Sequence, residues 1–300
     1  MMKRLPLCFV MMTLAAGGLA TSASARCEDY VPQAKPQNVS RDIVGQDLDT
    51  IIERGFIEFA VFEDFAPYSF EEAGQPRGVD IEIAKLIAES IGVAPKFKFV
   101  QADENLEADL RNWIWKGPVV GGAVANVMMH VPYNSDFACR VEQVVFTGQY
   151  YKEGIAIAYD AAFYEGDKPT PPFFRFDPVA VQNDTIADFY LTNLLGAGAS
   201  ANVRRFPEIG EAVAAIGTGE VRGAMGPKAQ LEYFAGDGVE VHQPPLVNFG
   251  VGQWTVGVAV HFAYRPLGYA VDDAIYAALQ DGRIEQIFAD YGLTFTAPER

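Results

Sequence analysis

The chain is poor in the residues that build metal and redox sites. It has 3 cysteines and 3 histidines among its 300 residues, with no CxxC pair and no Cys/His cluster. Metal centres need such ligands grouped at short spacings, so the sequence predicts no metal and no cofactor. A nucleophile elbow, a phosphate-binding glycine loop and a paired-carboxylate motif are also missing, which favours a protein without catalytic activity.

Basic charge is scarce as well. Lysine and arginine number 23 against 39 aspartates and glutamates, giving a formal net charge of -16. A surface of this sign repels nucleic acid and anionic membranes, but it attracts a basic partner protein. Beyond the N-terminus no stretch is apolar for long enough to cross a bilayer, so no membrane insertion is expected of the mature chain.

The N-terminus has the pattern of a secretory signal peptide. A basic start at residues 1–4 precedes an apolar stretch at 5–19 and the small-x-small site Ala23-Ser24-Ala25. We therefore predict a signal peptide over residues 1–25 and export to the periplasm. In that oxidising compartment Cys27 and Cys139 can form a disulfide, although two separate thiols fit the sequence equally well.

The mature chain alternates strand-like and helix-like segments. Residues 26–46 are polar and indicate an extended arm, and helical apolar spacing recurs over residues 80–91 up to Gly92. A proline-rich break at residues 160–178 separates two such α/β patterns. Strand–helix–strand order predicts sheets flanked by helices. The apolar run at residues 119–131 predicts a buried strand, and two further strands are expected at residues 144–146 and 154–159, on either side of Tyr150 and Tyr151.

One run near the middle of the chain resembles a known family. The stretch from Arg140 to Tyr151 matches R-x-x-x-V-x-F-S-x-P-Y-Y, with Thr147 for serine and Gln149 for the usual proline. This pattern resembles family-3 periplasmic solute-binding proteins, the amino-acid-type receptors of ABC importers. The resemblance extends over roughly residues 50–295.

The resemblance implies a two-lobe α/β fold of periplasmic binding protein type II. Each lobe would be a sheet flanked by helices, and two crossing strands would form the hinge. The expected division is lobe 1 at residues 47–152 plus 256–300, and lobe 2 at residues 153–255.

The same resemblance implies a cleft between the lobes. Ligands of such folds sit at the carboxyl ends of the strands. Arg140 would hold a ligand carboxylate, and Phe65 and Tyr68 would form apolar walls. The full set of expected ligand-binding residues is Arg140, Lys228, Phe65, Tyr68, Asp64, Tyr133, Asp184 and Thr185.

Departures from the family pattern bear on the ligand. Asn126 stands where the family has an aspartate, and Lys228 stands where an amino-acid receptor needs an acid for the ligand's ammonium group. Two cations in one cleft would repel an amine. The sequence thus favours a small anionic solute over an ordinary α-amino acid.

A subgroup of the family is closer still. Residues 110–112, 115–117 and 127–132 resemble the binding-protein homologues associated with quinoprotein alcohol dehydrogenases, including PQQ-dependent methanol dehydrogenases. That resemblance implies a periplasmic accessory of such a dehydrogenase. In this role Trp113, Trp115 and Trp254 are candidate interface anchors, and packing in the core is the alternative for all three. The alternative is an ABC-importer receptor working with a permease.

An enzyme of the cyclohexadienyl-dehydratase type is a third hypothesis. A few proteins of this fold act on cyclic carboxylates, and such a site needs a positioned acid or base. Glu63, Asp64 and His130 are candidates by location alone.

Overall fold

The computed structural model describes residues 46–119, 122–196, 198, 200–246, 249–250 and 252–299. The predicted signal peptide and the predicted arm up to residue 45 lie outside these ranges. Within the described part of the chain, we find no helix with both the length and the apolar character that a transmembrane span requires.

The helices follow one another along the chain with short strands between them. They are α1 (Leu48–Arg54), α2 (Val79–Ile91), α3 (Leu106–Leu110), α4 (Ser135–Arg140), α5 (Ile186–Leu195), α6 (Ile209–Gly217), α7 (Lys228–Phe234), α8 (Arg265–Gln280) and α9 (Arg283–Asp290). A π-helical turn, Arg111–Trp115, continues α3, and two 3₁₀ turns lie at Pro171–Arg175 and Ser200–Asn202.

The strands are mostly short, with one exception. They are β1 (Phe56–Phe62), β2 (Phe70–Glu72), β3 (Gln75–Arg77), β4 (Ala94–Val100), β5 (Val127–Tyr133), β6 (Val144–Asp160), β7 (Val179–Gln182), β8 (Val203–Phe206), β9 (Gly223–Pro227), β10 (Val239–His242) and β11 (Gln253–His261). With 17 residues, β6 is long enough to belong to two sheets.

Strand pairing runs in the order β4-β1-β5-β11-β6-β9-β7-β8, and β10 also pairs with β6. The pairs β1–β4, β1–β5, β7–β8 and β7–β9 are parallel. The first half of β6 pairs antiparallel with β11, and its second half pairs with β9 and β10. β6 is therefore shared by the two halves of the molecule.

Each half has its own hydrophobic core on both faces of its sheet. The first lobe packs Phe59, Ile83 and Val258 on one face and Leu110 and Met128 on the other. The second lobe has equivalent clusters around Val181 and Ile216. Trp254 packs against a cluster of each lobe. The predicted two-lobe fold with crossing strands is confirmed, whereas the exact lobe boundaries stay a prediction.

The local sequence explains α2, which carries the first lobe's core. Its buried positions include Val79, Ile83 and Ile87, spaced by four residues on one face. Gly92 ends the helix in the left-handed conformation, and its N–H donates to the Ala88 carbonyl. The predicted helix over residues 80–91 is thus present.

Two predicted elements differ from the observed ones. The apolar run from Val119 was expected to begin a strand, but β5 begins only at Val127. Two separate strands were expected on either side of Tyr150 and Tyr151, yet β6 passes through both without a break. Gly148 has φ 55° and lies at a register shift opposite β11, so a bulge absorbs the expected interruption.

Candidate functional site

The loop after β1 projects an aromatic side chain between the lobes. Phe65 N–H donates to the Ser69 carbonyl at 2.8 Å, and Ser69 N–H donates back to the Phe65 carbonyl at 2.9 Å. The Ser69 hydroxyl also donates to the Phe62 carbonyl at 2.6 Å. These bonds fix the loop, so the position of the Phe65 ring is set by the backbone around it.

Phe65 lines a cavity that receives residues from both lobes. The cavity has a volume of about 870 Å³. Phe62 and Tyr133 contribute from the first lobe, Thr255 contributes from β11, and Ile186 contributes from the start of α5 in the second lobe. The remaining lining residues are Leu106, Asp109, His130, Pro132, Asn134, Lys152, Gly250, Gln253, Trp254 and Glu299. A volume of this size accommodates a small organic solute.

A second cavity of about 740 Å³ also includes Phe65. Asp64 and Ala66 line it from the first lobe, and Gln182 with Glu208 lines it from the second. Asp64 has φ 49°, in the left-handed region, which turns the loop so that neighbouring residues face both cavities. Three of the expected site residues therefore line inter-lobe cavities. They are Phe65 and Tyr133 at the first cavity and Asp64 at the second.

Tyr68 lies one layer deeper than expected. Its side chain is 1% exposed and belongs to the first lobe's core. Its hydroxyl donates to Glu153 Oε2, and its ring packs on His130 with centroids 4.0 Å apart. Tyr68 supports the cavity wall from behind and does not line either of the two cavities among the described residues.

The two cations expected in the cleft, Arg140 and Lys228, are not among the described residues that line these two cavities. Arg140 is exposed at the end of α4, with its guanidinium carbon 5.5 Å from the Phe137 ring centre. Lys228 Nζ lies 3.5 Å from Glu232 Oε1. Among the described residues that line the two cavities, neither cation is present. Their absence from these two cavities does not test a ligand role, so the expected role of both cations stays a prediction.

The reason lies in local structure. Asn134 caps α4 by accepting from the Phe137 N–H at 3.0 Å, so residues 135–140 coil into a helix instead of continuing the edge of β5. For Lys228, the partner Glu232 is one helical turn away, and both side chains are 13% exposed. The ammonium group of Lys228 therefore already has an acidic partner within α7.

Thr185 caps α5, and Asp184 lies directly before this cap. The Thr185 hydroxyl donates to the Gln182 carbonyl at 2.7 Å and accepts from Asp188 N–H at 3.4 Å at the start of α5. Asp184 is exposed with φ 57° and accepts from the Asn183 amide at 2.6 Å. Ile186, which follows Thr185, lines the first cavity, whereas Asp184 and Thr185 do not.

Several cavity residues escaped the sequence analysis as ligand contacts. His130, Lys152 and Trp254 all line the first cavity. From the sequence alone, His130 is a candidate only for dehydratase chemistry, and Trp254 is a candidate only for an interface anchor. Lys152 is not singled out there. Their common signal is position, since each lies where β5, β6 or β11 approaches the other lobe. That signal becomes readable only once the strand order is known.

A buried polar network lies behind the first cavity. Asp80 is fully buried and accepts from the Tyr150 hydroxyl at 2.6 Å. Glu153 is 1% exposed, and burial raises the pKa of its carboxyl despite hydrogen bonds from Tyr68 and Gly154. Burial and the neighbouring Asp80 likewise hold the pKa of Tyr150 well above its usual value. The hydrogen bonds of this network connect α2 with β6 and the Phe65 loop with β6.

Cys139, near the end of α4, is disulfide-bonded. The cysteine predicted to pair with it, Cys27, lies outside the described residues, so the pairing itself stays a prediction.

Comparison with known proteins agrees with this architecture. The sequence model of bacterial extracellular solute-binding proteins, family 3, matches residues 57–112. This stretch contains β1, the Phe65 loop and α2. No curated protein sequence matches the chain at a significant level.

Solved structures match over most of the chain. An ancestral cationic amino acid solute-binding protein, AncCDT-1, has a TM-score of 0.67 at 21% identity, covering 82% of this chain and 99% of its own. An amino acid ABC transporter substrate-binding protein from Streptococcus pneumoniae, bound to L-arginine, has a TM-score of 0.59 at 20% identity, with coverages of 84% and 100%. A mutant of ArgBP from T. maritima gives 0.55 at 19%, with 81% and 98% covered. The chain therefore has the two-lobe fold of these binding proteins and a family-3 sequence signature over residues 57–112.

Proposed function

We propose that the chain is a non-catalytic, periplasmic solute-binding protein of the family-3 type, which holds a small solute in the cavity between its lobes. The observation that carries this proposal is the cavity of about 870 Å³ with lining residues from both lobes. The family signature over residues 57–112 supports it, because that stretch includes the Phe65 loop at the cavity.

Closure of the lobes would follow from the strand arrangement. Residues 150–155 of β6 pass from the core of the first lobe into that of the second, and Trp254 packs on both. Because only a few strands connect the two lobes, the lobes can move about these crossing strands as about a hinge. A solute contacting both lobes would favour the closed form through its extra contacts.

The first candidate role is a receptor for an ABC importer. The structural relatives named above include an ABC transporter substrate-binding protein, and a permease of such a transporter would be the partner. We propose a small carboxylate or other anionic solute as cargo. Several relatives are described as binding arginine or cationic amino acids, so the class of solute is open to direct test.

The second candidate role is an accessory of a periplasmic PQQ-dependent alcohol or methanol dehydrogenase. The placement of Arg140 and Lys228 away from the first cavity favours it, because the cations expected to hold a solute are not used for that purpose there. The resemblance at residues 110–112 and 127–132 supports the same role. In this role the acidic surface would meet the dehydrogenase.

A dehydratase activity ranks below both. One structural relative is described as a precursor of cyclohexadienyl dehydratase, and His130 lines the cavity. Glu63 and Asp64 are exposed on the loop outside that cavity. Conversion of prephenate or arogenate by the purified protein would overturn the non-catalytic assignment.

Tryptophan fluorescence tests solute binding at the cavity. We expect a library of carboxylates and amino acids to contain a solute that shifts the emission of the wild type, because Trp254 lines the cavity. The Trp254→Phe variant should lose the shift. The matched Trp113→Phe variant should keep it, since Trp113 packs in the first lobe's core.

The outcome that contradicts the proposal is a wild type that responds to no library member by fluorescence or thermal shift. If the same protein, which binds no solute, captures a quinoprotein dehydrogenase from periplasm, the accessory role is assigned. Co-purification with a permease and its ATPase would instead assign the importer role.

A further inference from the structure

His130 is held in a costly conformation at the wall of the first cavity. Its φ of 57° lies in the left-handed region, although it stands inside β5. Residues without glycine's freedom adopt this region at a cost, and they keep it where the surroundings impose it. The ring is wedged between Phe65, with centroids 4.9 Å apart, and Tyr68, at 4.0 Å.

A buried carboxylate lies behind the ring. His130 Nδ1 is 3.2 Å from Asp80 Oδ2, and Asp80 is fully buried. The alignment of the two groups falls short of a hydrogen bond, and within the described residues neither atom has another hydrogen-bond partner. A buried carboxylate is stabilised by an opposite charge. A protonated His130 ring would supply that charge through its Nδ1–H and would keep its Nε2–H for a third group.

The other charged groups that line the cavity have contacts within the protein. Lys152 Nζ contacts Glu299 Oε1 at 2.6 Å. Burial raises the pKa of the Asp109 carboxyl, which also accepts from Asp103 N–H at 2.7 Å. Among the described residues that line the cavity, His130 is the basic group held between the aromatic rings of Phe65 and Tyr68, whereas Lys152 lies next to Glu299.

The apolar part of the wall suggests the shape of that solute. Phe62, Phe65, Ile186 and Trp254 line the same cavity as His130. Flat aromatic faces stack well on planar rings. An acid carried on a ring would therefore satisfy the charge and the apolar walls at the same time.

We propose that His130, backed by Asp80, contacts the carboxylate of a ring-bearing organic acid bound in the first cavity. This inference rests on the proposed solute-binding function and names the class of solute. In this proposal His130, and not Arg140, is the residue that contacts the acid.

Titration calorimetry with benzoate and benzamide tests the charge, and L-arginine tests the opposite preference. The wild type should bind benzoate about tenfold or more tightly than the uncharged benzamide, because a charged hydrogen bond is lost in the amide. L-Arginine should bind more weakly than benzoate. Cyclohexanecarboxylate, which keeps the acid on a ring without aromaticity, should bind within about tenfold of benzoate.

His130→Asn tests the residue, since asparagine tolerates a positive φ. We expect about a tenfold loss in benzoate affinity and a benzoate-to-benzamide ratio near unity. His242→Asn is the matched control, because His242 Nε2 contacts the Pro169 carbonyl at 2.8 Å in the second lobe, away from the cavity. Its affinities should equal those of the wild type.

The outcomes separate the inference from the function on which it rests. A wild type that binds library solutes at Trp254, with His130→Asn retaining full affinity, overturns the role of His130 and leaves the function intact. Benzamide or arginine bound as tightly as benzoate by the wild type also overturns it, even if the variant fails to fold. A wild type that binds no solute overturns both.

Discussion

At the scale of single residues, Glu153 carries a marked electrostatic cost. It is buried where β6 passes between the lobes, and it accepts from the Tyr68 hydroxyl and from Gly154 N–H at 2.7 Å. Removal from water disfavours the carboxylate more than these hydrogen bonds favour it, so the pKa of Glu153 is raised above its ordinary 4.5. The folded protein therefore favours the protonated form of Glu153 more than water does.

Glu153→Gln should change how stability depends on pH. Because the folded pKa is raised, the contribution of Glu153 is fully present below the unfolded pKa and is lost as pH rises through the folded value. The free energy of unfolding of the wild type, relative to Glu153→Gln, should therefore fall as the pH is raised from about 4 to about 8. The fall should amount to about 1.4 kcal/mol for every tenfold difference between the acid dissociation constants of the folded and unfolded states.

Urea denaturation of both proteins across this range measures the difference. Glu285→Gln is the control, since Glu285 is exposed on α9, and its difference from the wild type should stay flat. A flat difference for Glu153→Gln would show that the buried carboxylate is fully compensated by its partners.

At the scale of elements, the C-terminal segment after α9 ties β6 to the second lobe. Lys152 N–H donates to the Thr296 carbonyl at 3.0 Å, and Thr294 N–H donates to Glu232 on α7 at 2.9 Å. Phe295 packs on Phe288, with ring centroids 5.4 Å apart. The segment thus contacts a strand of the first lobe and a helix that follows β9.

Phe295→Ala should loosen this attachment more than Glu299→Ala. Truncating a half-buried aromatic side chain costs about 1–3 kcal/mol. The ion pair of Glu299 with Lys152 is worth about 0–1 kcal/mol, because Glu299 is 82% exposed. Hydrogen exchange at the Lys152 amide should quicken in Phe295→Ala, while amides of β7 in the second lobe keep their protection. Equal effects of the two substitutions would contradict a packing origin.

The elements also show what the sequence could and could not predict. The spacing of Val79, Ile83 and Ile87 with Gly92 behind them identifies α2, because both signals are local. The continuity of β6 through Gly148 is not local, since it depends on pairing with β11.

The site divides in the same way. Phe65 lies in the loop after β1 and Tyr133 ends the neighbouring strand β5, so strand order places them at the cavity. Arg140 matched a motif, but the helix that carries it away from the strand depends on the Asn134 cap. The contact of His130 with Asp80 joins residues from β5 and α2, and no spacing rule relates them.

At the scale of the whole molecule, two cores share β6 and the Trp254 side chain. The cavity lies between them, so its shape depends on how the lobes are held. A solute that contacts Phe65 in one lobe and Ile186 in the other gains both sets of contacts only when the lobes approach. Binding and closure are then linked.

Distance measurements between the lobes test this linkage. Spin or dye labels at Ser90→Cys on α2 and Thr218→Cys after α6 occupy exposed positions of different lobes. With the solute found by the fluorescence screen, the distance between the labels should shorten, because bound solute selects the closed form. The control pair, Ser90→Cys with Glu285→Cys, lies within the first lobe and should not change. A constant distance for the first pair, at saturating solute, would mean that the cavity fills without hinge motion and that the lobes already stand closed.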